Sequence, residues 1–196
     1  MARERERADV QAQRGAFIQQ QAQLDASRLI FIDESGFRLG SPPHYGWAPL
    51  GDKSPGKSTQ GSWKTMTMIG ALALDGFRGF MTIDAATSSD VFHAFVEQEL
   101  LPHLHVGDVV VMDNLSAHKT SAVLKTIRNA GAEVVFLPAY SPEYNPIEKA
   151  WSKMKTMMRR LNTMTRDAFD SAVAQAMDAV TLENIEARVR YAGYCH

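Results

Sequence analysis

Three carboxylates stand where metal-dependent phosphodiester chemistry would need them. Asp33 closes the apolar run Leu29-Ile30-Phe31-Ile32, Asp113 closes Val109-Val110-Val111-Met112, and Glu148 opens a segment of helical periodicity. The two runs are short and rich in β-branched residues, the pattern of strands buried on both faces of a sheet. An acidic side chain ending such a strand is costly to desolvate unless a cation or donors compensate it, so two of them suggest one shared site at the sheet edge. Oxygen-only ligands favour magnesium or manganese over zinc. Two such ions, roughly 3.5 to 4 Å apart, activate a water or a 3′-hydroxyl and stabilise the leaving oxygen.

Each carboxylate also fits a structural role. Asn145-Pro146-Ile147-Glu148 can be read as an N-cap, a first-turn proline and the glutamate of a capping box, while Asp33 and Asp113 suit turn initiation. The longer segments decide between the readings. Phe31-Ile32-Asp33-Glu34-Ser35-Gly36, Asp113-Asn114-Leu115-Ser116-Ala117-His118-Lys119 and Leu137-Pro138-Ala139-Tyr140-Ser141-Pro142-Glu143-Tyr144-Asn145-Pro146-Ile147-Glu148-Lys149-Ala150-Trp151, with 34 residues between Asp113 and Glu148, closely resemble the mariner-type DDE transposases, in particular their bacterial insertion-sequence branch. The likeness runs from about Leu29 to Gly193.

That resemblance implies a ribonuclease-H-like catalytic domain in which Asp33, Asp113 and Glu148 bind Mg2+, with Mn2+ able to substitute, as a two-ion site. It also implies DNA as the partner, both mobile-element ends and target, and a homodimer in the active complex. Asn114, His118 and Lys119 join as auxiliaries that orient water or contact phosphate. Glu34 points away from Asp33 by strand alternation and is left out of the metal site; Asp84 is a weaker fourth candidate. Two other readings stand beside the transposase: a ribonuclease-H-like nuclease without strand transfer, and a domesticated DNA-binding protein that no longer cleaves.

The elements that must position these acids follow from periodicity. Residues 65–74 and 79–84 flank Asp75-Gly76, a hairpin signal. Residues 88–104 read as a crossover helix capped by Ser88 or Ser89, 120–130 as a helix stopped by Gly131, and 133–137 as a last strand. Three antiparallel strands followed by alternating helices and strands predict an α/β mixed five-stranded sheet flanked by helices. From Pro146 onward, Ile147, Ala150, Trp151, Met154, Met158 and Leu161 share one helical face, which puts Trp151 in the core. Residues 165–180 and 182–192 read as two further helices.

Residues 1–28 are rich in Gln, Arg and Glu without a clear apolar stripe, and read as a loosely packed helical lead-in or linker before a catalytic domain spanning 29–196. Relatives carry a helix-turn-helix region ahead of the catalytic domain; none can be placed in these residues.

Composition adds bounds. A chain of 196 residues that is 45% hydrophobic buries one substantial core. The net charge of −1 speaks weakly against nucleic acid, but distribution matters more. Lys149, Lys153, Lys155, Arg159, Arg160 and Arg166 face a single acid, Glu148, over residues 147–166. Lys149, Lys153, Arg159 and Arg160 are therefore candidate phosphate contacts. Trp47, Lys53, Lys57 and Lys64 come from the Gly-, Pro- and Ser-rich stretch 36–64, where aromatics among bases suit a segment lying along DNA, although a lone Trp such as Trp47 or Trp63 more often anchors a loop on the core. No apolar stretch approaches the roughly 18 residues of a membrane span, and the one cysteine, Cys195, fits a reducing compartment. The expected setting is the bacterial cytosol, with the nucleoid, and no membrane.

Overall fold

Alternate side chains of a strand leave opposite faces of its sheet, and along the first strand they enter two separate cores. In a computed structural model of the chain, describing residues 3–42, 48–52, 64–161 and 163–194, β1 spans Leu29–Arg38. Leu29, Phe31 and Phe37 join one apolar cluster; Ile30 and Ile32 join the other. β2 (Thr65–Ala73) runs antiparallel to β1, with Phe31 opposite Leu72 and Arg38 opposite Thr65, and β3 (Gly76–Ile83) runs antiparallel to β2. The chain reverses at Asp75-Gly76, where Gly76 takes φ +126°, open to glycine and costly for other residues. β4 (Val109–Met112) lies parallel to β1 on its other side, and β5 (Glu133–Phe136) parallel to β4. The resulting order, β3-β2-β1-β4-β5, is the mixed ribonuclease-H-like sheet expected from the sequence.

Among the described residues, the sheet is flanked by α1 (Ala8–Gln21), α2 (Ser89–Phe95), α3 (Ser121–Asn129), α4 (Ile147–Met158), α5 (Arg166–Asp178) and α6 (Leu182–Tyr191). Phe92 and Phe95 of α2 with Val123 and Ile127 of α3 cover the Ile30/Ile32 face. The Leu29/Phe31 face is covered by α4, α5, α6 and Phe17 of α1. Ser88, Thr120, Thr165 and Thr181 each cap a helix by accepting from the N–H three residues on, removing one orphan donor apiece.

Two features differ from the sequence reading. Asp33 does not end its strand. β1 continues to Arg38 because β2 keeps pairing with it, whereas β4 stops at Met112, so Asp33 lies where β1 loses one neighbour and keeps the other. Nor is α1 loosely packed along its inward stripe: Val10, Phe17 and Gln21 are buried, and the Phe17 ring lies 5.2 Å from that of Tyr144. Val10, Arg14, Phe17 and Gln21 form one helical stripe, but two of its four members are polar, so no apolar periodicity announces it.

Trp151 is fully buried on the α4 side, with ring centroids 6.2 Å from Phe77 and 5.9 Å from Phe80. It occupies the room left by Gly70, where a Cβ would come within 2.8 Å of the indole. Gly70→Ala is therefore expected to destabilise the protein by about 1–3 kcal/mol through overpacking, although alanine ordinarily suits a strand better. Urea unfolding would test this, and wild-type stability in the variant would mean that the indole is not seated there.

Candidate active site

Strand parity decides which acids meet. Asp33 follows Leu29 and Phe31 onto the α4 side of the sheet, and Asp113 follows Val109 and Val111 onto the same side. The last parallel pair, Phe31 with Val111, precedes both aspartates by two residues. α4 packs over that side and presents Glu148 from its first turn. All three carboxylates, with Asn114, Tyr140 and Ser141, line one cavity of about 410 Å³.

Glu148 is not closing a capping box. The start of α4 has no side-chain cap; the Asn145 amide instead reaches β1 and donates to the Ile32 carbonyl at 3.4 Å. Asn145 thus ties the helix start to the strand beside Asp33, which leaves the Glu148 carboxylate to the cavity.

Asp33 and Asp113 sit in opposite electrostatic surroundings. Burial first, then the charges of Glu148, Glu34 and Asp113, push the Asp33 carboxyl up to about 8. Its side-chain donor among the described residues is neutral: Trp151 Nε1 donates to Asp33 Oδ2 at 3.0 Å. Burial also raises Asp113, but His118, the Leu115 N–H (3.1 Å to Oδ1) and Lys119 outweigh it and hold that carboxyl below the ordinary range. Burial and Asp113 raise Glu148, opposed by Lys155 and Lys149.

His118 is fully buried under Phe92, ring centroids 4.1 Å apart. Its Nε2 lies 2.9 Å from Glu34 Oε1, and its Nδ1 lies 2.7 Å from Asp113 Oδ1, an ion-pair distance at an angle poor for a hydrogen bond. Burial disfavours its charge, but the two carboxylates more than reverse this and raise it to about 9. A charged imidazole therefore braces Asp113 against Glu34, which alternation sends to the opposite face.

Residues 28–170, which contain all three carboxylates, match the family described as DDE superfamily endonuclease. The chain belongs to that family. Its fold is that of Mos1 mariner transposase. A Mos1 paired-end complex with the left transposon end superposes with TM-score 0.76 at 14% identity, covering 97% of this chain and 60% of that one. A Mos1 paired-end complex with Mn gives 0.73, 14%, 98% and 62%. The isolated Mos1 catalytic domain gives 0.67 and 13%, covering 100% of this chain and 98% of that one. The chain thus spans about 60% of the length of the Mos1 chain in the left-end complex. No curated protein sequence matches it.

In this DDE endonuclease the remaining sequence candidates fall into separate places. Asn114 lines the cavity. Lys119 stands 5.6 Å over the Phe136 ring. Lys149, Lys153 and Arg160 line a second, larger cavity of about 800 Å³ between α4 and α6, joined there by Arg188 and Tyr191. Lys153 is already bound to the Ala179 carbonyl and Asn184, while Arg159 leaves a buried Nε without a partner among the described residues. Lys64 pairs with Asp84, and neither lines the carboxylate cavity. Trp47, Lys53, Lys57 and Trp63 lie outside the described residues.

Two residues at the site escape sequence reasoning. Trp151 belongs to the core, as periodicity predicts, but its bond to Asp33 leaves no mark in that periodicity. Lys155 acts electrostatically on both Glu148 and Asp33. It follows Glu148 by seven residues, two helical turns along the same face, and that spacing is the signal that could have found it.

The raised Asp33 carboxyl sets a pH dependence. A group whose folded pKa exceeds its unfolded value contributes stability that is complete below the unfolded value, near 4, and is lost as pH rises through about 8. An asparagine side chain at this position imitates the protonated acid. In chelator, Asp33→Asn should melt close to wild type near pH 5 and progressively above it toward pH 8.5. A constant offset across that range would show that Asp33 does not hold a proton in the metal-free site.

Proposed function

We propose that this DDE endonuclease is the catalytic domain of a cut-and-paste DNA transposase, of the bacterial insertion-sequence kind, acting through Asp33, Asp113 and Glu148. The observation that carries the reading is three carboxylates from β1, β4 and α4 in one cavity, two of them held above their ordinary pKa. An all-oxygen, mutually repelling donor set fits Mg2+ or Mn2+, and Mos1 structures include paired-end complexes with each. Among the described residues, no three His, Cys, Asp or Glu side chains already stand as a metal-holding group; Asp33, Asp113 and Glu148 would have to close on one another to hold an ion.

Asp33, Asp113 and Glu148 would hold the ions, a pair in this reading. When bound, these supply a nucleophilic oxygen and stabilise the charge on the scissile phosphate. The protein's own contribution is positional. Trp151 fixes Asp33, His118 with Glu34 fixes Asp113, and Asn145 fixes the start of α4. The Asp33 proton has to leave before that carboxylate can serve as a ligand, so metal affinity should rise toward pH 8. Lys155 moderates the repulsion between Asp33 and Glu148. The reaction proposed is hydrolysis at the ends of a mobile element, then attack of the freed 3′-hydroxyl on target DNA.

The cavity between α4 and α6 suits a DNA backbone leading away from the site. Among the described residues, Lys149, Lys153, Arg160 and Arg188 line it without an acid, and Arg188 keeps a buried Nη1 that none of them satisfies. In this reading a strand held there passes beside Lys149, the residue that follows Glu148 on α4. Among the described residues no helix is long and apolar enough to cross a membrane; a homodimer working beside the nucleoid in the cytosol completes the proposal.

Two measurements test it. Supercoiled plasmid with Mn2+ or Mg2+ should be nicked by the wild type and not by Asp113→Asn at matched folding; activity surviving in the variant would remove the triad from catalysis, and joined products separate a transposase from a plain nuclease. In chelator, Arg160→Ala with Arg188→Ala should flatten the log–log salt dependence of oligonucleotide binding by roughly two. An unchanged slope would take the groove out of the DNA path.

A further inference from the structure

The segment from β5 to α4, residues 137–146, delivers Glu148 to the cavity, and its own bonds form only a short turn. Ser141 Oγ donates to the Ala139 carbonyl at 3.1 Å, and the amides of Tyr144 and Asn145 donate to Ser141 and Pro142 at 3.2 and 3.0 Å. Within it Tyr140 has φ 56°, a left-handed conformation uncommon for residues other than glycine.

The residues that follow Tyr140 are held from the two ends of the described chain. Arg14 of α1, with a side chain 11% exposed, donates to Ser141 Oγ at 2.5 Å, Glu143 Oε1 at 2.6 Å and Tyr144 Oη at 3.2 Å, and stands 5.0 Å from the centre of the Tyr144 ring. Arg5 pairs with the same Glu143 oxygen. From the other end, Tyr194 Oη donates to the Tyr144 carbonyl at 2.9 Å, and Gln21 of α1 donates to the Ala192 carbonyl at 2.8 Å. α1 therefore grips the loop directly and also steadies the chain end that grips it from behind.

We propose that Arg14 is a positioning residue of the active site. By holding Ser141, Glu143 and Tyr144 together it sets the loop that carries Glu148, and so makes α1, which precedes the family-matched residues 28–170, a working part of the DDE centre. The inference rests on reading Asp33, Asp113 and Glu148 as the metal site. A planar guanidinium spans three acceptors at fixed angles, which a lysine ammonium on a flexible stem does not. Losing a partner bonded directly to a metal ligand weakens metal affinity or activity by roughly 10- to 100-fold, and Arg14, one step further from Glu148, is expected at the lower end of that range.

The test compares the whole chain as wild type, Arg14→Ala, Arg14→Lys and Glu143→Gln, by amide hydrogen exchange and by calorimetric Mn2+ titration. In Arg14→Ala, residues 137–146 should exchange faster while β1 and β4 keep their protection. Mn2+ should bind about tenfold more weakly, and excess Mn2+ should recover part of the nicking. Arg14→Lys should restore little of either, and Glu143→Gln, which leaves α1 untouched, should shift both in the same direction. Unchanged loop exchange in Arg14→Ala overturns the proposal. So does faster exchange spread evenly over the core strands, because α1 would then contribute stability alone. If the wild type binds no Mn2+, the metal reading falls separately, and loop exchange still decides whether Arg14 sets the loop.

Discussion

Asp33 is held in the interior by an indole, and that choice of partner shapes the site around it. The Trp151 N–H gives the carboxyl a donor at 3.0 Å but no opposing charge. Burial and the neighbouring acids therefore keep its pKa near 8. The same bond ties β1 to α4, so the residue that orients Asp33 also fixes the helix that presents Glu148. Trp151 can come this close only because Gly70, directly opposite Asp33 on β2, has no side chain to exclude it. Gly70, Trp151 and Asp33 form one steric and polar unit across the strand pair and the helix.

The second aspartate is handled in the opposite way. Asp113 faces a buried, charged imidazole whose far nitrogen is held by Glu34. Its carboxylate stays ionised, while its neighbour retains a proton until something positive arrives. Environments that drive two like groups apart in pKa mark functional sites more often than structural ones. Here the divergence comes from sheet geometry. Asp33 and Glu34 are consecutive on β1 and leave opposite faces, so a single strand step supplies both a carboxylate for the cavity and a brace, through His118, for Asp113.

Much of this was legible in the sequence, and the boundary has physical causes. Apolar runs and the Asp75-Gly76 turn mark the strands, and 3.6-residue periodicity marks α4, because both signals record which side chains must be dry. The motif segments identify the three acids. Contacts made by single polar atoms are not legible. Asn145 has the residue type and position of a helix cap, yet its amide bonds to Ile32; the competing strand carbonyl cannot be seen in a local pattern. Trp151 shows its packing through periodicity and hides its N–H. α1 reads as loosely packed because half of its inward stripe, Arg14 and Gln21, is polar, and polar residues that bond inward look the same in sequence as those that face water.

α4 shows where function and stability agree, and where they part. Its acid, Glu148, sits in the first turn, at the positive end of the helix dipole, and Lys155, Arg159 and Arg160 gather toward the negative end. The charge order that suits a catalytic acid followed by phosphate contacts is also the order that stabilises an isolated helix, so the helix dipole offsets part of the burial that raises Glu148. β1 has no such compensation. A strand lacks a useful dipole, and Asp33 has only a neutral side-chain donor among the described residues. The destabilising part of the site is therefore greatest at Asp33 and is shared by Glu148, which burial and Asp113 also raise. Both raised acids meet at the junction of β1 and α4, while Asp113, braced by His118, is already ionised there.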